Sequence, residues 1–102
     1  MRLSSAHLTT IRESALNHFG PDAQIWLFGS RVRDTEKGGD IDLFIEVQNK
    51  SASDLISCKL KFLRELHKKL GEQKIDVVIR RLNSSIDLPI YQIAKQTGIQ
   101  LQ

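Results

Sequence analysis

Apolar residues recur along the chain with two different spacings, and each spacing predicts a type of secondary structure. Steps of three and four residues indicate helices, whereas short apolar runs and alternation indicate strands. The pattern predicts helices over about 5–19, from Ser51 or Ser53 to about 70, and over about 89–95. It predicts strands over 24–28, 40–47 and 74–80, a short helical turn over 30–33, and a short tail after Gly98.

The predicted order is α-β-(α)-β-α-β-α, without repeats or a linker. We expect an α+β fold, an α/β two-layer arrangement in which helices cover a small mixed sheet of about three to four strands. A chain of 102 residues suits one domain over 1–102. In the second long helix we expect five residues to face the core: Ile56, Leu60, Leu63, Leu66 and Leu70.

Composition narrows the class of protein. The chain is 40% hydrophobic with mixed charge, and it has neither a membrane-length apolar stretch nor a signal peptide. Its one cysteine, Cys58, fits a reducing compartment, so we expect a cytoplasmic protein. Residues 52–102 carry nine basic and five acidic residues, a net +4, which suggests an acidic partner, a nucleotide or nucleic acid. The alternative for the lysines of 59–69 is a solvated helix face.

The second predicted strand carries two aspartates on one face. Because side chains alternate along a strand, Asp40 and Asp42 point the same way, about 7 Å apart, while Ile41 and Leu43 point to the other face. Asp76 in the third strand joins them if the two strands are neighbours in register. Three close carboxylates repel one another, and an all-oxygen cluster suits Mg²⁺ or Mn²⁺. The alternative is the polar side of a half-exposed strand.

A Gly-Ser turn follows the first predicted strand. Gly29 lets a ligand approach the backbone, and the Ser30 hydroxyl and local N–H groups can bond a phosphate. Arg31 and Arg33 are further candidate phosphate ligands. A phosphate cradle beside an acidic metal site is what phosphoryl or nucleotidyl transfer requires.

These motifs, LFGSRVR, DIDLF after nine intervening residues, and KIDVVI, resemble the nucleotidyltransferases of the DNA-polymerase-β-like superfamily, and most of all the minimal nucleotidyltransferases (MNT). The resemblance covers about 3–81 and implies a palm-like fold. It implies that Gly29 and Ser30 hold the nucleoside triphosphate and that Arg33 contacts phosphate. Three residues would form the catalytic metal site for two Mg²⁺ ions, with Mn²⁺ as a substitute: Asp40, Asp42 and Asp76. Asp76 would also help to deprotonate the attacking hydroxyl.

The resemblance also implies a biological role. MNT proteins are typically encoded beside a HEPN-domain RNase toxin, which they neutralise as antitoxins and can modify by transferring AMP from ATP to a tyrosine. Asp34 departs from the family, in which a glycine often follows the arginine that Arg33 matches. The alternative is therefore a catalytically weak, nucleotide-binding antitoxin subunit that acts by complex formation.

The sequence also bears on partners other than ATP and a HEPN protein. The apolar C-terminal segment leaves a homo-oligomer open. The low aromatic content, 6%, argues against direct nucleic-acid binding, and a polymerase would need further domains to hold primer and template.

Overall fold

The computed structural model describes residues 5–28, 41–48, 51–71, 74–82 and 88–102. Within these ranges it has three helices and four strands. In chain order they are α1 (Ser5–Phe19), β1 (Gln24–Phe28), β2 (Ile41–Val47), α2 (Ala52–Leu70), β3 (Ile75–Arg81), α3 (Pro89–Thr97) and β4 (Ile99–Gln100). The short helical turn that the sequence predicts over 30–33 lies outside the described residues.

The strands form one mixed sheet in the order β3-β2-β1-β4. β2 pairs with β3 in parallel, across the connection through α2, whereas β1 is antiparallel to both β2 and β4. The predicted α+β fold with a small mixed sheet is therefore confirmed, and it is consistent with a palm-like nucleotidyltransferase fold. The expected C-terminal tail is wrong in part, because β4 adds an edge strand and the Leu101 N–H donates to the Ile25 carbonyl at 2.7 Å.

One face of the sheet is apolar and packs against α1 and α2. Alternation places Ile41, Leu43 and Ile45 of β2 on this face, and all three are fully buried. Phe19 of α1 and Phe62 of α2 meet edge to face, with ring centroids 5.3 Å apart. This main core fixes the backbone of β2, and so also fixes the side chains that point to the opposite face.

The inward face of α2 differs from the predicted one. Leu55, Phe62 and Leu66 are buried, whereas Ile56 and Leu60 are 63% and 60% exposed. The helix carries two apolar lines about 100° apart, and only one can face the core. The line that contains the large Phe62 ring is the buried one. Leu66 was predicted correctly, and Leu63 and Leu70 are partly buried against the core.

The opposite face of the sheet is partly covered by α3. Trp26, Phe44, Tyr91 and Ala94 form a second buried cluster, in which the Phe44 and Tyr91 rings stack with centroids 5.4 Å apart. Gly98 ends α3 beside β1, where a Cβ atom would lie only 2.8 Å from the Leu27 carbonyl oxygen. In the ranges that the structure describes, no helix has the length and apolarity needed to cross a membrane.

Candidate functional site

Two of the predicted carboxylates are brought together by the pairing of β2 with β3. Asp42 and Asp76 are register partners on these parallel strands. Neighbouring strands lie about 4.8 Å apart, and partners in register point to the same face. The two side chains therefore leave the sheet side by side, on the face opposite the main core, as the sequence predicts.

The acidic pair remains open to solvent. Asp42 is half-buried, and the Asp76 side chain is 54% exposed on β3, a strand at the edge of the sheet. The Nζ atom of Lys74 lies 3.9 Å from an Oδ atom of Asp76. On the other side of β2, Phe28 is the register partner of Asp42 and belongs to the second apolar cluster. The carboxylates thus have apolar packing on one side and water on the other.

A second charged pair on the same face shows how these strands compensate a buried carboxylate. Glu46 is the register partner of Arg80, and it is only 2% exposed. Its Oε2 accepts from Arg80 Nη1 at 3.3 Å, and Lys95 Nζ of α3 lies 2.8 Å away. Glu46 is therefore a buried, paired carboxylate and not an exposed edge charge, because β2 lies inside the sheet and α3 supplies a second cation.

The pair of Asp42 and Asp76 differs in charge from the pair of Glu46 and Arg80. Glu46 faces a cation across the strands, whereas Asp42 faces another carboxylate in the same geometry. Like charges on directly opposite residues repel each other. Carboxylate oxygens at this spacing suit a hard divalent cation, which would neutralise both. The donor chemistry of the described pair therefore fits a magnesium site.

A comparison with protein-family models adds an independent observation. The model described as "Nucleotidyltransferase domain" matches residues 8–98, which covers most of the chain. The chain belongs to the nucleotidyltransferase domain family. It is thus a transferase domain that takes a nucleoside triphosphate as substrate. A search of curated proteins found no match to the chain.

The remaining predicted site residues of this nucleotidyltransferase domain lie outside the described residues. They are Gly29, Ser30, Arg31, Arg33 and Asp40, and Asp34, the departure from the family pattern, also lies there. In sequence, Gly29 directly follows β1 and Asp40 directly precedes β2. Among the residues that are described, no group of three or more His, Cys, Asp or Glu side chains could hold a metal ion. The described part of the predicted site is therefore the pair Asp42 and Asp76.

Sequence reasoning missed the residues that support this face. Lys95 is far from Glu46 in sequence, and no local pattern connects them. Lys74 could have been found, since it lies two residues before Asp76 and alternation places both on one side of β3.

Proposed function

We propose that this domain is a Mg²⁺-dependent enzyme that transfers a nucleoside monophosphate, AMP from ATP, to a hydroxyl of a protein. Two observations support the proposal. The chain belongs to the nucleotidyltransferase family, and Asp42 and Asp76 are acidic register partners on the neighbouring strands β2 and β3. The family match carries the most weight, and the register of the two carboxylates supports the proposal that they share one site.

The three aspartates would have distinct roles in this proposal. Asp40, Asp42 and Asp76 would hold the divalent cations, which when bound neutralise phosphate charge and the developing charge of the leaving group. Gly29 and Ser30, with Arg31 and Arg33, would bind the triphosphate through backbone N–H groups and guanidinium forks. Nine residues separate the two motifs in sequence, and β1 and β2 are antiparallel neighbours, which supports one shared site.

The transfer step is a single substitution at phosphorus. The acceptor hydroxyl oxygen forms a bond to the α-phosphorus, and the bond from that phosphorus to the bridging oxygen breaks. Pyrophosphate leaves with the electron pair of that bond, and the hydroxyl proton passes to Asp76. The exposed carboxylate of Asp76 on an edge strand is accessible to a hydroxyl brought by a protein acceptor.

We further propose that the acceptor is a HEPN-type toxin, that the domain acts as its antitoxin, and that both are cytoplasmic. This part rests on the resemblance to minimal nucleotidyltransferases. The competing proposal is a catalytically weak antitoxin that binds nucleotide and neutralises its HEPN partner by complex formation. Asp34 favours it, because an acid next to a phosphate-binding arginine opposes phosphate binding.

Transfer of label from ATP tests both proposals. The purified chain is incubated with Mg²⁺, ATP labelled at the α-phosphate and the HEPN-type protein encoded beside its gene. We expect labelled HEPN protein, and a rate at least about 100-fold lower for Asp42→Asn. Asp54→Asn, which changes an exposed aspartate on α2, is the matched control and should leave the rate unchanged.

Protection of cells separates the two mechanisms. If Asp42→Asn abolishes both label transfer and protection from the toxin, the enzymatic proposal stands. If no label is transferred and Asp42→Asn still protects, the protein acts by complex formation. If the wild-type chain neither labels nor protects, the HEPN assignment is wrong, and transfer to water or to other hydroxyl compounds would still report the nucleotidyltransferase activity.

A further inference from the structure

Helix α2 presents apolar side chains to solvent, well apart in sequence from the acidic pair. Ile56 and Leu60 are four positions apart, so their side chains are neighbours on one side of the helix. They are 63% and 60% exposed, although three other apolar residues of the same helix are buried. The core of this chain therefore does not bury Ile56 and Leu60.

The same line of the helix continues with cations. Arg64 and Lys68 occupy the next two positions at intervals of four, and Lys61 lies three positions before Arg64. We call these five exposed residues the α2 ridge: Ile56, Leu60, Lys61, Arg64 and Lys68. In the part of the chain that the structure describes, no ion pair joins the three cations of the ridge to a carboxylate.

Lys and Arg favour helices at any interior position, but the helix dipole adds a local reason for only one of these cations. Lys68 lies in the last turn, where the helix dipole favours a positive charge. Lys61 and Arg64 lie further from the helix end, and the effect of the dipole falls off within the last turn. Their charge is therefore available to an external partner.

The chemistry of the ridge selects one class of occupant. A second copy of the chain would bring cations against cations, which opposes association. Nucleic acid would gain little from Ile56 and Leu60, because aliphatic side chains do not stack on bases as aromatic ones do. A membrane surface requires a wide apolar face, and the other apolar line of α2 is buried in the core.

We propose that the α2 ridge binds an acidic amphipathic helix of another protein. Apolar side chains of that helix would pack on Ile56 and Leu60, and its carboxylates would pair with Lys61, Arg64 and Lys68. The proposal does not depend on nucleotidyl transfer, since the ridge contains no residue of the acidic pair. Binding at the ridge and label transfer can therefore fail separately.

Selection of helical peptides displayed on phage tests the chemistry of the occupant without assuming its sequence. The full-length chain is the bait, and the affinities of selected peptides are measured by fluorescence anisotropy. We expect an enriched apolar line flanked by Asp or Glu, with affinity that falls as salt increases. Replacement of both Ile56 and Leu60 by Ser should weaken binding at least about tenfold, as should Arg64→Glu.

Ile93→Ser is the matched control, because Ile93 is 50% exposed on α3 and lies outside the ridge. Circular dichroism checks that each variant is folded. Three results would overturn the proposal: enrichment of basic peptides, no enriched peptide at all, or selected peptides that lose as much affinity with Ile93→Ser as with the ridge variants. Tighter ridge-dependent binding to RNA or to anionic vesicles, or ridge-dependent dimerisation in sedimentation experiments, would also contradict it.

Discussion

Replacement of Glu46 by Gln should destabilise the protein more than any other single change of charge among the described residues. Glu46 is 2% exposed and accepts from two cations, Arg80 at 3.3 Å and Lys95 at 2.8 Å. The two cations also contact aromatic rings: the Arg80 guanidinium lies 5.2 Å from the Tyr91 ring centroid, and Lys95 Nζ lies 5.4 Å from that of Trp26. The carboxylate therefore joins α3 to the sheet.

The expected loss can be estimated from these distances. With the two N–O distances as charge separations and an effective dielectric constant of about 20, the attraction to Glu46 is about 5 kcal/mol for Arg80 and about 6 kcal/mol for Lys95. Desolvation offsets several kcal/mol for each ion, so the intact cluster contributes little net stability. Removal of the anion leaves the mutual repulsion of the Arg80 and Lys95 cations, and breaking a buried ion pair in this way costs about 3–5 kcal/mol.

Because Arg80 and Lys95 are 20% and 33% exposed, water screens part of this repulsion, and we expect about 3 kcal/mol. For a domain of about 100 residues this corresponds to a fall in Tm of roughly 12–24 °C. Urea unfolding followed by far-UV circular dichroism measures the free energy of unfolding. Lys95→Met in the Glu46→Gln background should restore about 1 kcal/mol or more, since it removes one of the two opposed cations.

Glu65→Gln is the control for a single charge. Glu65 is 28% exposed and pairs with His18 at 3.6 Å and Lys69 at 3.9 Å, so its replacement should cost less than about 1 kcal/mol at neutral pH. A loss below about 1 kcal/mol for Glu46→Gln, or a double variant no more stable than the single one, would refute this reasoning.

Three further predictions concern pH and packing. The Ser14 hydroxyl and nearby cations lower the pKa of Glu65 below 4.5, whereas burial of the carboxyl acts in the opposite direction. The stability that the Glu65 carboxylate contributes is therefore complete above pH 4.5 and is lost as the pH falls through the folded-state pKa. Urea titrations between pH 6 and pH 3 should show a smaller decrease for Glu65→Gln than for wild type. Gly98→Ala should cost about 1–3 kcal/mol in urea unfolding, because its methyl group would meet the Leu27 carbonyl. Phe44→Ala should cost about 3–5 kcal/mol in the same assay, because its ring is fully buried.

Strand alternation allowed one part of the site to be predicted from sequence. The two-residue period of β2 separates Ile41 and Leu43 from Asp42 before any partner is known, and β3 repeats the pattern around Asp76. The sequence alone does not give the register of β2 against β3, on which the proximity of the two aspartates depends. The structure gives that register and pairs Asp42 with Asp76. The position of Asp40 relative to them stays a prediction.

Long-range packing explains what could not be predicted. β4 has only two residues, too few for a periodic signal, and it forms because β1 offers an unpaired edge. The inward face of α2 was ambiguous because Ile56 and Phe62 belong to different apolar lines, and only packing against Phe19 decides between them. Burial of Glu46 likewise depends on Lys95, from a distant helix.

We propose that Asp42 and Asp76 form one cation site on the face of the sheet opposite the main core. Titration of the protein with Mn²⁺, followed by the electron paramagnetic resonance signal of the free ion, tests it most directly. We expect Asp42→Asn and Asp76→Asn each to weaken Mn²⁺ binding at least about tenfold. Urea unfolding of the metal-free protein checks that each variant is folded. Unchanged Mn²⁺ affinity in Asp42→Asn, relative to wild type and to Asp54→Asn, would contradict it.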